Sequence, residues 1–145
     1  MDQADSEYQV IWLLRRLFRA LGQQANEDLQ EFEISAADRA VLEFLYPDEA
    51  LSVPEIAGRY LVSRQHVQVT VNELLKSGLL LAKTNPRHKR SPLILLSDDG
   101  RKLFQTIRSR ESKTVKRLFA GIPTQDRLVT QKTLEALLAQ LRRGD

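Results

Sequence analysis

The chain has 145 residues, with 22 Lys and Arg against 19 Asp and Glu, a net charge of +3 and no cysteine. This length suits one domain, or one domain with helical extensions, with enough chain to bury a core. The missing thiols exclude disulfides, thiol redox sensing and cysteine-based metal sites. No apolar run reaches membrane-spanning length and the opening MDQADSEYQ is acidic and polar, unlike a secretory leader, so the expected location is a bacterial cytoplasm with no membrane partner.

From about Glu7 to Leu29 the pattern is helical. Ile11, Leu14, Phe18, Leu21 and Ala25 form one apolar stripe, and Val10, Leu13, Leu17 and Ala20 form a second beside it. Together they make a band wider than a surface helix needs. Gly22 falls inside it, where a glycine costs about 1 kcal/mol relative to alanine. Ser35-Ala36-Ala37-Asp38 then reads as a capped helix start leading into Val41, Phe44 and Leu45 and ending before Pro47. Ser52, Pro54 and Glu55 form a second start: Ser as N-cap, Pro early in the first turn, and Glu three residues after the Ser. Leu61-Val62 is the expected turn, after which Ser63 caps another helix. Val67, Val71, Leu74 and Leu75 along that helix recur at spacings of three and four and face the core, and Gly78 sits where a left-handed residue ends a helix.

Two apolar strands then flank the basic, proline-bounded loop Asn85-Pro86-Arg87-His88-Lys89-Arg90-Ser91-Pro92. Ser97 caps a long helix with Asp98 and Asp99 in its first turn, where the helix dipole favours acids. Leu103, Ile107, Val115, Leu118 and Phe119 run along it until Gly121 and Pro123. Thr124 starts a last helix with Leu128, Leu134, Leu137, Leu138 and Leu141 on one side. Helix, turn, helix and hairpin in that order describe a winged helix-turn-helix. The fold class is thus mainly α with a small β-hairpin wing. Residues 35–100 already hold a core, so the apolar stripes of 7–31 and 101–143 need another partner. The bland alternative is that they complete a monomeric core; a second copy of the chain is the stronger reading, making these the dimerisation helices of a single 145-residue unit.

The helix after Ser63 leaves Arg64, Gln65, His66, Gln68, Val69 and Thr70 facing outward. These residue types suit base reading: Gln pairs with adenine, Arg with guanine, and Thr and Val methyls pack on the thymine methyl. A polar helix face is more often merely solvated, but the charge here argues otherwise. Between Arg59 and Leu96 stand seven Lys or Arg and a single acid, Glu73, while residues 1–50 carry eleven acids and four bases. Such a basic surplus is what phosphate neutralisation requires. Together with Ser63 at the cap and Arg87, Lys89 and Arg90 in the wing, these residues are the candidate contacts to double-stranded DNA. No catalytic constellation stands against this reading: the chain has no glycine-rich phosphate loop, no His-Glu-x-x-His and no Ser flanked by glycines. His66 and His88, without acids beside them, are weak metal ligands. Neither an enzyme nor a cofactor is expected. The competing reading is a winged-helix module that binds protein rather than a DNA sequence.

Over nearly its whole length the sequence resembles the MarR family (multiple antibiotic resistance regulators). The stretches carrying the resemblance are Pro54-Glu55-Ile56-Ala57 through Val62-Ser63-Arg64-Gln65-His66-Val67, then Asn72-Glu73-Leu74-Leu75-Lys76-Ser77-Gly78-Leu79, then the wing and Leu95-Leu96-Ser97-Asp98-Asp99-Gly100. The resemblance implies a homodimeric transcriptional regulator, a repressor on a palindromic operator that a small molecule releases. Such ligands lie in this family between the dimer helices and the reading head, where Trp12, Arg15, Arg16, Phe44 and Tyr46 are the candidates for a small aromatic or phenolic effector; the competing reading is that Trp12 and Phe44 are core and the arginines face solvent. The family's wing Arg maps onto Arg90. Two residues before it the family carries an Asp that steadies the Arg; His88 stands there instead, so this wing lacks that brace. Val69 occupies a position where the family often has Arg, which favours thymine-methyl contact over guanine reading, and Asn72 replaces a common Asp.

Overall fold

The computed structural model describes residues 3–142. Its elements are α1 (Gln3–Leu29), a 3₁₀ turn (Gln30–Phe32), α2 (Ala36–Leu45), β1 (Leu51–Ser52), α3 (Val53–Tyr60), α4 (Arg64–Lys76), β2 (Leu80–Lys83), β3 (Leu93–Leu96), α5 (Asp98–Leu118) and α6 (Thr124–Arg142). By packing, the chain divides into two units that meet in the sequence at Ser109 and Arg110, within α5. The expected dimerisation segment 101–143 is therefore most of α5, a turn and α6; its last residue, Arg143, lies outside the described residues.

Local chemistry sets most helix starts in the first unit. Ser35 accepts from Asp38 N at 3.0 Å while the Asp38 carboxylate accepts from Ser35 N at 2.9 Å, a complete capping box. Ser52 and Glu55 repeat it for α3. Ser63 Oγ accepts from His66 N at 3.1 Å to open α4. Each satisfies backbone N–H groups that a helix start would otherwise leave without partners. Leu61 ends α3 in the left-handed region, φ 62°, and Gly78 follows α4 at φ 77°. Gly22 does not interrupt α1, because the helix has side chains enough on either side to outweigh one weak position.

The helices α2, α3 and α4 pack with the sheet around Val41, Leu42, Leu45, Ile56, Val67, Val71, Leu74, Leu80, Ile94, Leu96 and Phe104. Leu75, expected in the core, is only partly buried at its edge. The sheet has three strands rather than the two of a hairpin. β3 is central, pairing antiparallel with β2 (Leu80↔Leu96, Lys83↔Leu93) and with β1 (Leu51↔Ile94, Ser52↔Leu93). β1 runs directly into α3, so the helix-turn-helix is hydrogen-bonded to the base of its own wing.

A second junction ties the far end of α4 to α5. Ser97 Oγ donates to Gly78 O at 2.6 Å and accepts from Gly100 N at 3.0 Å, while Ser97 N donates to Leu79 O at 3.1 Å. Gly100 is buried against this bond set, and a Cβ there would lie 2.0 Å from the Leu79 carbonyl oxygen. Only glycine admits that approach. Arg101 reinforces the junction from outside, reaching Pro47 O, Asp48 and Asp98.

The remaining surface is of another kind. Along α1 the residues Val10, Ile11, Trp12, Leu13, Leu17, Phe18 and Leu21 are exposed, Phe18 by 78%. In the second unit α6 has no buried residue at all among those described.

Candidate nucleic-acid interface

At about 100° per residue, the buried stripe of α4 (Val67, Thr70, Val71, Leu74) lies opposite Gln65, Val69 and Asn72. Arg64 and Gln68 fall on one flank, His66 and Glu73 on the other. All of these outward residues are exposed, Val69 by 54%. One expected contact fails. Thr70 is buried, 6% exposed, three residues from Val67 and four before Leu74 on the core stripe, and its hydroxyl donates to His66 O at 3.2 Å. It is a packing residue whose polar group is satisfied within its own helix, so it cannot read a base.

The flank carrying Arg64 and Gln68 faces the hairpin. Arg64, Gln68, Asn72 and Leu75 from α4 and Ala82, Arg90 and Pro92 from the hairpin line a cleft of about 500 Å³. A second cleft, about 660 Å³, lies between the start of α3 and the wing, with Ser52, Glu55, Arg64, Asn85, Arg87 and His88 around it. The wing and the α4 flank thus form one continuous basic border, with Arg64 shared by both clefts. Glu55 is the acid of this border. Its carboxylate accepts from Ser52 N at 3.2 Å and Ser52 Oγ at 3.0 Å. Those bonds, with the nearby positive charges of Arg59 and Arg87, hold it below its ordinary value of 4.5 and keep it ionised.

The wing has a brace, and it is not the one the family pattern supplies. Asn85, only 8% exposed, donates from Nδ2 to Ser91 O at 3.0 Å and accepts at Oδ1 from Arg87 N at 3.1 Å. His88 N donates to Asn85 O and Ser91 N to His88 O. One buried amide therefore closes the loop across its base, leaving Arg87, His88, Lys89 and Arg90 exposed. Sequence reasoning read Asn85-Pro86 only as the start of the basic wing loop; the signal available was an Asx residue two positions before a backbone N–H it could accept. It also left Asn72 out of the candidate DNA contacts, although this residue stands on the outermost line of α4 and accepts from Gln68 Nε2 at 2.9 Å.

The candidate effector residues are not gathered into one site by these contacts. Trp12 is half-exposed on α1, with Arg15 and Arg16 exposed in the next turn. Phe44 is partly buried, edge-on to Tyr60 at 5.5 Å between ring centres, and Tyr46 packs on Phe104 at 5.0 Å with the Arg108 guanidinium over its ring. Among the described residues no group of three His, Asp or Glu side chains is placed to hold a metal, and no helix is long and apolar enough to cross a membrane.

Comparison with known proteins agrees with this geometry. An uncharacterized protein of Mycobacterium tuberculosis, Rv2011c, is 35% identical over 95 residues, 66% of this chain and 66% of that protein, so the chain spans just under two thirds of its relative's length. An uncharacterized HTH-type transcriptional regulator of Bacillus subtilis, YkoM, is 27% identical over 116 residues, 79% of this chain and 75% of that one. The fold is shared with the transcriptional regulator BldR from Sulfolobus solfataricus, at a TM-score of 0.85 and 18% identity, covering 97% of this chain and 99% of that one. The MarR family model matches residues 33–91, from the turn before α2 through α3 and α4 into the wing, so this helix-turn-helix segment is similar to the MarR family.

Proposed function

We propose that the protein is a transcriptional repressor that binds a palindromic double-stranded DNA operator as a homodimer, with α4 in the major groove and the wing along the flanking backbone. The observation that carries this reading is the outer face of α4. It offers Arg64, Gln65, Gln68, Val69 and Asn72 to solvent on a helix whose other side is locked into the core, in a segment with seven bases and one acid. A rigid helix with one free polar face is what base reading needs, and the basic border supplies phosphate contacts that set its register. Ser63, at the N-cap, lies at the end of α4 where a phosphate meets unpaired N–H groups. The second copy is called for by the apolar residues of α1 and α6 that the chain itself leaves exposed.

Fluorescence anisotropy on duplexes tiled across the DNA upstream of the gene tests the proposal. One duplex bound by two chains, with affinity falling steeply as salt rises, is the expected result. Binding to no duplex, or equally to all of them, would favour the protein-interaction module. A reporter driven from the bound region should rise when the gene is deleted; a fall would make the protein an activator.

An aromatic or phenolic acid is the effector class that fits this reading, because Trp12 offers a half-exposed ring with two arginines one turn away. Trp12 is the chain's single tryptophan, so its fluorescence reports on the site directly. Saturable quenching by such acids, with loss of duplex binding, supports the assignment. Titrations without quenching remove it.

A further inference from the structure

The outer face of α4 carries a side-chain hydrogen bond that has no structural task. Gln68 Nε2 donates to Asn72 Oδ1 at 2.9 Å, one turn along the helix, and both residues are exposed. An exposed i, i+4 amide pair adds only about 0.2–0.5 kcal/mol to a helix, and α4 is already held by its cap and its buried stripe. What the bond does change is the orientation of Gln68. A glutamine amide has two N–H donors and one carbonyl acceptor. With one N–H committed to Asn72, the carbonyl and the second N–H remain, side by side and held in one plane. Adenine presents the complementary pair in the major groove: the N6 amine donates and N7 accepts. The bond also ties the Gln68 amide, which starts from the wing-side flank, to a neighbour nearer the outermost line of the helix.

Resting on the DNA-binding reading above, we infer that Gln68 and Asn72 act as one unit that specifies adenine at a fixed position of each half-site. Gln68 is the base reader. Asn72 is its positioning residue, removing rotamer freedom that a lone glutamine loses only on binding. Val69, the next residue and 54% exposed, presents two methyl groups on the same outer side of the helix, which suits the thymine methyl of a neighbouring pair. The recognised step is therefore rich in A·T, and guanine is excluded there because its O6 acceptor faces the Gln68 carbonyl.

Selection from a randomised duplex library, followed by titrations on the selected site and its single-pair variants, tests this with the full-length protein. Wild type should select adenine at one position per half-site, and exchanging that pair for G·C should weaken binding on the order of tenfold or more. Gln68→Ala and Asn72→Ala should each flatten the preference at that position alone, and the double variant should be no flatter than Gln68→Ala. Asn72→Asp keeps the acceptor but adds a negative charge facing phosphate. It should keep the adenine preference while lowering affinity for every duplex. A preference that survives Gln68→Ala means another residue reads that base, and one that survives Asn72→Ala means the pair is not a unit; either result overturns the inference while leaving DNA binding in place. Failure of the wild type to retain any duplex would remove the DNA-binding reading, and the inference with it.

Discussion

The helices α4 and α6 illustrate two ways for an apolar stripe to be finished. In α4, 13 residues long, Val67, Thr70, Val71 and Leu74 are buried by the chain's own α2, α3 and sheet. In α6, 19 residues long, none of the five leucines is buried: Leu134 and Leu137 are partly covered, while Leu128, Leu138 and Leu141 are exposed, Leu141 by 74%. Burying one leucine is worth about 1.5–3 kcal/mol, so α6 and the exposed face of α1 represent a large gain that a single chain does not collect. The reading head is complete as a fold; the terminal helices keep apolar faces that this chain leaves exposed. Stability of the head and affinity for DNA should therefore respond to different substitutions.

The largest effect should come from the frame. Leu13 and Leu17 sit one turn apart on α1 and are 55% and 54% exposed, so the reading head does not depend on them. Replacing both by Glu should reduce the mass seen by light scattering from about twice 16.6 kDa to that of one chain. Because two linked half-sites gain roughly 10²–10⁴ in avidity over one, affinity for a palindromic duplex should fall by at least about a hundredfold. Circular dichroism should show the helices retained. Unchanged mass together with unchanged affinity would place the dimer interface elsewhere or abolish it.

The next effect falls on the head alone. Gly100→Ala puts a Cβ against the Leu79 carbonyl, at a junction fixed by two hydrogen bonds that Ser97 donates and one that it accepts. Backbone cannot yield there as a flexible side chain would, and the cost should reach about 3 kcal/mol, the upper range for overpacking. Urea unfolding should show this as a lower midpoint with an unchanged slope. A loss under about 0.5 kcal/mol would mean that α5 shifts easily on the end of α4, and that the junction is not rigid.

These two cases also mark what the sequence could and could not disclose. The starts of α2, α3, α4 and α5 were legible because a cap is a local device, written in Ser35, Ser52, Ser63 and Ser97 and the three residues after each. β1 was not, since a two-residue strand has no periodicity and pairs with Leu93 and Ile94 some forty positions away. Thr70 was misplaced by its chemistry: a polar type suggested the outer face, while its spacing from Val67 and Leu74 put it inside. Asn85 and Gly100 were visible as the first residue of the wing loop and part of a motif, but their tasks depend on what approaches them in three dimensions. Within the candidate site, the outward placement of Arg64, Gln65, His66, Gln68 and Val69 was readable; the pairing of Gln68 with Asn72 and the brace of the wing were not.

Of the wing residues, Arg90 sharpens the distinction between holding DNA and reading it. It is exposed and borders the same cleft as Gln68. Removing its guanidinium from a phosphate by Arg90→Ala should weaken specific and scrambled duplexes alike and reduce the slope of log affinity against log salt by about 0.9 for each phosphate released. The fold and the assembly should stay as they were. An unchanged slope would mean that the wing stands clear of the backbone. Asn85→Ala should do more than Arg90→Ala, since it unfastens the loop presenting Arg87, Lys89 and Arg90 together.

The smallest expected effect is on pH dependence, and it belongs to the head. Glu55 completes the capping box of α3 as a carboxylate, and the hydrogen bonds from Ser52 hold its pKa below 4.5 in the folded chain. A carboxyl whose folded pKa is depressed contributes stability that is present above its unfolded value and is lost as pH falls through its folded value. Between pH 7 and about 5 the contribution is therefore constant, and below about 4.5 it declines. Glutamine at the same position still accepts from the Ser52 N–H and still fits a capping box, but it cannot titrate. Urea titrations of wild type and Glu55→Gln from pH 7 to pH 3 should thus show a small, fixed gap near neutrality that narrows as the acid limb is entered. Other carboxylates make both proteins less stable in acid, so the informative quantity is the difference between the two curves. A gap that stays the same down to pH 3 would show that the Glu55 charge adds nothing to the cap beyond its hydrogen bonds.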